Sequence, residues 1–286
     1  MRRALISLFG LSLLLSACGS EKLTSSQPPT GKATPGAKVS AAGVLLAAQQ
    51  KTVAAKSAKM SFQMDFLTSA TQPAGSMSGV GAFDFPARTG SLDFTLEIEG
   101  FPQGVHMEER LLGNILYMQF KGVNIGPKPW LKLDLVALGK KAGIDVASLS
   151  QFEQNDPAST LSYLQGVSGD VTEAGTEKIR GVQTTKYTAT VDLKRAMDKV
   201  PAKIRPSFQH ILKLIGTSTL PIEVWIDDAG RTRRLHYSMD MSHVKGADQG
   251  ASIDITMDLF DFGAPVHVTA PPASQVADGE AVLSGK

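Results

Sequence analysis

Two stretches of this chain alternate apolar and polar residues without a fault. Residues 60–66 read MSFQMDF and residues 92–99 read LDFTLEIE. Successive side chains of a β-strand point to opposite faces. The first stretch therefore puts Met60, Phe62, Met64 and Phe66 on one face and Ser61, Gln63 and Asp65 on the other. The second does the same with Leu92, Phe94, Leu96 and Ile98. Such strands can only be stable in a sheet with one buried face. Residues 114–120 extend the pattern, with Leu116, Met118 and Phe120 on one side, after a Gly113-Asn114 hairpin turn. Residues 76–85 alternate more weakly through Val80, Ala82 and Met77, and 104–112 and 130–133 add two further strands. Consecutive strands with turn-rich joints predict an antiparallel meander.

The rest of the chain mixes helices with a second strand block. Residues 41–57 predict a helix capped by Ser40, with Val44, Leu45 and Ala48 on its apolar face. Residues 135–142, 146–154 and 157–166 predict three short helices, the last with Asp156 as cap, Pro157 at its first position and Gly166 as stop. Strands at 170–179 and 184–191 flank an Arg180-Gly181 turn. Helices follow at 193–200 and 202–215, separated by Pro201, the second with Phe208, Ile211 and Leu212 on one face. Strands at 220–226, 232–241 and 251–260 complete the pattern, and 266–269 is read as a last edge strand. Long antiparallel strands with helices inserted in blocks predict an α+β fold, simplest as one large curved sheet with helices on its concave side.

The only cysteine in 286 residues is Cys18. It follows Arg2, Arg3 and the apolar run 4–15, the order of a secretory signal peptide. That run is too short to span a membrane, which takes about 20 residues. Ending on Leu15-Ser16-Ala17-Cys18, the segment resembles a bacterial lipobox, which implies cleavage before the cysteine and acylation of its thiol. The expected organisation is a signal peptide over 1–17, an acylated Cys18 with a disordered linker to 40, one domain over 41–270, and a disordered tail over 271–286. Linker and tail are rich in Ser, Thr, Pro, Gly and Ala, with little to bury. As a flexible coil the linker spans about 26 Å. The expected location is the outer, extracytoplasmic face of the cell membrane, held by the lipid on Cys18. With that thiol acylated no disulfide can form, so the domain must rest on its core alone.

Removing Arg2 and Arg3 from the 29 basic residues leaves 27 against 27 acidic ones. A neutral chain offers no clustered phosphate-binding charge, which argues against nucleic acid as a partner. Arg231, Arg233 and Arg234 do cluster, and read as a solvated strand edge. His106, His210, His236, His243 and His267 lack metal-ligand spacing. Gly75-Ser76-Met77-Ser78-Gly79 has the outline of a nucleophile elbow but carries Met77 where the serine must stand. Neither a phosphate-binding loop nor a dinucleotide fingerprint is present, so the sequence predicts no enzyme, no metal and no cofactor. What stands out is the apolar inventory. Met60, Met64, Met77, Met107 and Met118 fall in the first strand block, among Phe62, Phe66, Phe94 and Phe120. Methionine and phenylalanine on one sheet face serve equally as ordinary core and as the lining of an adaptable apolar site.

Three segments carry a resemblance. They are GVQTTKYTATVDL at 181–193, LPIEVWIDDAGRTRRL at 220–235 and DFGAPV at 261–266. Together with the lipobox and linker they are similar to the actinobacterial lipoproteins of the LppX/LprA/LprF/LprG family. The resemblance implies a half-barrel like that of the periplasmic lipoprotein carriers of Gram-negative bacteria. Its strongly curved antiparallel sheet would have helices over the concave face and an acyl-chain cavity between them. It implies a non-enzymatic carrier of a lipid or lipoglycan within the envelope, monomeric and working beside a membrane lipid transporter. The motifs themselves mark turns and packing, and transfer no ligand contacts. The strand faces supply the candidate lining: Met60, Phe62, Met64, Phe66, Leu92, Phe94, Leu96, Ile98, Leu116, Met118 and Phe120, covered by Phe208, Ile211 and Leu212 from the helix at 202–215. Two other readings stand beside it. One is a structural or signalling module whose concave face is filled by its own side chains. The other is a hydrolase whose Ser, His and Asp converge only in space.

Overall fold

The structure is a computed structural model that describes residues 41–69, 72–98, 104–123, 125–141, 167–194, 205, 206, 209, 216–242 and 249–284. The expectations for the signal peptide, Cys18, the linker, the helices at 146–154 and 157–166, and Phe208, Ile211 and Leu212 lie outside these residues. Of the helix expected at 202–215, Arg205, Pro206 and Gln209 are described, and are helical.

The chain opens with α1 (Ala41–Ala54) and then lays down six strands in a meander: β1 (Ser57–Ser69), β2 (Gln72–Asp84), β3 (Thr89–Ile98), β4 (Val105–Leu112), β5 (Ile115–Lys121) and β6 (Trp130–Asp134). Helix α2 (Leu135–Lys141) follows. A second meander runs through β7 (Val167–Ile179), β8 (Val182–Asp192), β9 (Thr219–Asp227), β10 (Thr232–Asp240) and β11 (Ser252–Phe260). The two meanders fuse where β11 pairs with β1, Phe62 opposite Met257 and Met64 opposite Ile255. With a short last strand, β12 (Val276–Asp278), one unclosed sheet of 12 strands results, in the order β12-β6-β5-β4-β3-β2-β1-β11-β10-β9-β8-β7. All pairings are antiparallel but that of β12 with β6. The α+β architecture and its curved sheet thus agree with the alternation in the sequence.

Hairpin chemistry follows the local sequence. Arg180 and Gly181 both adopt positive φ, at 48° and 79°, the conformation a two-residue β-turn requires. Gly113, with φ of 63°, turns β4 into β5. Asp227 accepts the Gly230 N–H through its carbonyl at 2.7 Å and closes the β9–β10 turn. Side-chain carboxylates start the short helices: Asp134 Oδ1 accepts the N–H groups of Val136 and Ala137 at 2.9 and 3.1 Å.

Strand β2 decides the shape of the sheet. Its inner face reads Gly75, Met77, Gly79, Gly81, Phe83. A Cβ added at Gly75, Gly79 or Gly81 would stand 2.5, 2.5 or 2.3 Å from a carbonyl oxygen of β3. Neighbouring strands come this near only where the sheet folds toward the face on which that Cβ would lie. The face of Phe62, Phe94 and Leu96 is therefore the concave one. The gap over Gly79 is filled by Phe62, whose ring meets Phe94 edge-on at 5.9 Å. The weak alternation of 76–85 misled: Val80 points outward and is 58% exposed, while the glycines hold the inner positions.

Helix α1 covers the second meander on this same face. Leu45 and Ala48 pack against Ala189, Val224 and Ile226. Thr52 fastens the helix: its hydroxyl donates to the Ala48 carbonyl at 2.7 Å and accepts the Thr232 N–H at 2.9 Å. Among the described residues, no helix is long and apolar enough to cross a membrane.

Three expectations are corrected. Residues 271–284 do not form a disordered tail. They make a 3₁₀ turn (Ala273–Gln275), strand β12 and helix α3 (Gly279–Ser284). Composition misled because the site beside β6 needs only a small residue, and Ala277 fills it opposite Leu131. Gly279 fits where a Cβ would meet Leu133 at 2.6 Å, and Glu280 pairs with Lys141. The edge strand expected at 266–269 does not form, and β12 takes that role. Arg231, Arg233 and Arg234 do not line a sheet edge, since β10 lies between β9 and β11. Arg231 and Arg233 bind Asp227 at 3.1 and 2.7 Å, and Arg234 binds Asp258 at 2.6 Å.

The glycine argument makes a test. Gly81→Ala is expected to lower the unfolding free energy by about 1–3 kcal/mol, because backbone must shift to admit the methyl. Val80→Thr, one residue away on the outer face, is expected to stay within about 0.5 kcal/mol of wild type. Urea unfolding of both variants measures the difference.

Candidate functional site: the concave apolar face

Cross-strand register lines up apolar residues over nine strands. Tyr187 of β8 lies opposite Val224 of β9, which faces Leu235 of β10, which faces Met257 of β11. The row continues through Phe62, Gly79, Phe94 and Met107 to Phe120 of β5. A parallel row runs Ile222, Tyr237, Ile255, Met64, Met77, Leu96, Val105. Directly opposed pairs in an antiparallel sheet share a face and touch, so these rows form one apolar surface across the curve.

The candidate lining residues fall on it. Phe62, Phe94 and Leu96 form one buried cluster with Val105 and Met107, bordered by Phe66, Leu92, Ile98 and Phe120. Met64 belongs to a second cluster with Met239 and Ile255. Leu116 and Met118 join Leu133 and Leu135 in a third, and Phe120 touches both the first and the third. Met60 is half-buried and lies opposite Gly81 and Leu259. The face is wider than the sequence reading made it: Met77, Val105, Met107, Met239 and Ile255 belong to it as well.

Besides the hydroxyls of Tyr187 and Tyr237, these nine strands bring one carboxyl to the face. Glu109 lies opposite Leu92 of β3 and Met118 of β5, with Met107 and Leu111 two residues away on its own strand. It is 9% exposed, and no hydrogen bond or ion pair reaches its carboxyl among the described residues. Burial pushes its pKa up to about 7. The signal was present in the sequence. Carrying the period of two from Val105 through Met107 to Leu111 puts Glu109 inside, but the Glu108-Glu109-Arg110 run reads at first sight as a solvated surface.

The opposite face is polar and internally paired. Asp227 is 5% exposed. Burial alone would raise its pKa, but the Arg231 N–H and the guanidinium groups of Arg233 and Arg231 outweigh that and hold it below the usual carboxylate range. Trp225 donates its indole N–H to Glu177 and lies 4.9 Å from the Lys186 ammonium. Phe262 stacks beneath Arg231 and Arg233 at 4.7 and 4.8 Å. A recess of about 560 Å³ opens on this side, among Gln63, Val80, Thr95, His106, Lys121, Arg234 and Asp258, and its lining also reaches Phe62, Phe94 and Met107. Its charges are already neutralised, Lys121 by Asp93 and Glu108 at 3.7 and 3.5 Å. Its histidine is tied to Thr95 at 2.9 Å. A recess ringed by paired charges offers acyl chains less continuous apolar surface than the opposite face, so the apolar face is the better candidate site.

In sequence, the chain is 27% identical over 260 residues to an uncharacterized 31.2 kDa protein encoded in the rplA–rplJ intergenic region of Streptomyces griseus. The match covers 86% of this chain and 81% of that protein. No family model matches the chain. Its structure is similar to that of lipoprotein LppX from Mycobacterium tuberculosis, at 16% identity and a TM-score of 0.45, over 79% of this chain and 98% of that one. It is also similar to LprF from Mycobacterium bovis, at 18% identity and a TM-score of 0.47, over 82% and 97% of the two chains. Both names belong to the lipoprotein family that the motifs at 181–193, 220–235 and 261–266 resemble.

The buried carboxyl has a measurable signature. Its folded pKa lies above the unfolded value of 4.5, so its contribution to stability is fully present below pH 4.5. That contribution is lost as pH rises through about 7. The loss is up to about 3 kcal/mol. Glu109→Gln cannot titrate. The stability of wild type relative to this variant is therefore expected to fall between pH 4.5 and 7.5 and to level off above. Urea unfolding across that range checks it.

Proposed function

We propose that this chain is a non-enzymatic envelope lipoprotein that holds the acyl chains of a lipid or lipoglycan against its concave face and carries them within the envelope. The continuous apolar face over nine strands, interrupted by a single carboxyl, carries this reading. Acyl chains cannot cross an aqueous gap unshielded at a useful rate, because exposing them costs about 0.8 kcal/mol per methylene. A sheet bent around such a face, with helices over it, is a shape that removes them from water. The methionines among the lining residues suit a ligand of variable shape, since the thioether chain is flexible and polarisable.

In this reading, Phe208, Ile211 and Leu212 form part of the cover. The lipid on Cys18 holds the domain to the outer side of the membrane, and the linker at 19–40 sets its reach. The carrier works as a monomer and exchanges cargo with a membrane lipid transporter. The resemblance of the motifs to the LppX/LprA/LprF/LprG lipoproteins supports the same assignment.

Two measurements test it. Full-length protein isolated from envelopes is expected to release, on organic extraction, close to one equivalent of non-covalent lipid per chain, read by mass spectrometry. Failure to find lipid, and failure of added diacylglycerol to bind, would leave a structural or signalling module with a self-filled interior as the better account. Radiolabelled palmitate is expected to enter the wild-type chain and to be absent from Cys18→Ser, which should also leave the membrane fraction.

A further inference from the structure

The carboxyl of Glu109 lies between Leu92 and Met118 and has no hydrogen-bond or ion-pair partner among the described residues. The other buried carboxylates behave differently: Asp227 takes bonds from Arg231 and Arg233, and Asp258 takes them from Arg234 and Arg180. A buried acceptor left unpaired costs the fold its full desolvation penalty, and native proteins carry few of them. The position is also central to the candidate site. Glu109 continues the cross-strand row Met60, Gly81, Leu92 and precedes Met118, so it interrupts the surface against which acyl chains are proposed to lie.

We infer that Glu109 is the polar contact of the ligand site and accepts a hydrogen bond from a hydroxyl group carried by an otherwise apolar lipid. The inference rests on the carrier reading and adds the ligand's chemistry to it. A hydroxyl fits better than the alternatives. It can donate to a carboxyl in either protonation state, whereas an ammonium group would need the ionised form. A phosphate would meet a carboxylate of its own sign and would leave water at high cost. A hydroxyl is neutral and loses least on entering an apolar site, and it supplies a partner that the described residues do not. The hydroxyl can come from a glycerol headgroup or from a hydroxylated acyl chain.

Paired probes separate these sources. The first pair is 1,2-dioleoylglycerol and its 3-O-methyl ether. The second is methyl 12-hydroxystearate and methyl stearate. Each pair is offered at equal concentration to the full chain, and the bound ratio is read by native mass spectrometry. Wild type is expected to favour the hydroxyl member of at least one pair by about 10-fold, the scale of one hydrogen bond to a buried carboxyl. The pair that shows the preference tells where the hydroxyl sits. Glu109→Leu is expected to keep binding both members and to lose the preference. Because leucine removes a buried unpaired group, that variant should also melt at a higher temperature than wild type at pH 8. Equal binding within both pairs by wild type, or a preference that survives in Glu109→Leu, overturns the inference and leaves the carrier reading standing. A lower melting temperature for Glu109→Leu would make the residue a structural one and overturns the inference as well. If none of the four probes binds, the carrier reading falls, and this inference with it.

Discussion

The absence of a Cβ at Gly75, Gly79 and Gly81 is the constraint on which the architecture turns. Their φ values lie outside the left-handed region, so it is space and not backbone freedom that requires glycine. With nothing projecting from these positions, the β3 backbone closes to within 2.5 Å of where the methyl groups would stand. The sheet bends toward the apolar face as a result. That bend gives Phe62 and Phe94 their edge-on contact across β2 and turns flat rows of apolar residues into a concave surface. Without it the same residues would form an open sheet, with most of their area in water.

The two faces divide the work. The concave face gathers Met, Phe, Leu, Ile and Val from both meanders. The convex face is fastened by charge, through Asp227 and Asp258 and the arginines around them. The segments that carry the family resemblance lie mostly in this second system. Asp227, Arg231, Arg233 and Phe262 bind one another and fix the β9–β10 turn against the end of β11, while Trp225 packs with Glu177, Lys186 and Arg234. They are features of the scaffold. Ligand chemistry must be sought on the other side of the sheet.

Period-two alternation was enough to read the strands and most of the inner face, because over 60–66, 92–98 and 116–120 every inward residue is large and apolar. It failed where the inward residue was small or charged. On β2 the glycines erased the signal and left Val80 as the apparent inner residue. On β4 the Glu108-Glu109 pair disguised one inward and one outward side chain as a solvated run. At the C-terminus, Ala277 was too small to register as core, although it is all that the space beside β6 accepts. The arginines of β10 were misread because strand order is a property of the whole chain. Nothing local says that β10 lies between β9 and β11 and not at an edge. Glu109, the carboxyl of the candidate site, could be found only by carrying the phase of its neighbours through a charged stretch.

Among the described residues, the two outer margins of the sheet differ in a way that bears on edge-to-edge association. Strand β7 is long and open, but its pairing with β8 slips twice, between Ser168 and Thr172 and between Glu173 and Thr176. Gly175 adopts a φ of 105° in the same stretch. The opposite margin, β12, spans only Val276–Asp278 and runs straight into a helix. Neither offers a second copy the straight ladder of hydrogen bonds on which strands of two molecules would zip together. On the proposed membrane anchor, chains would meet at high local concentration, where a regular open edge invites polymerisation. Irregular margins disfavour that edge-to-edge pairing.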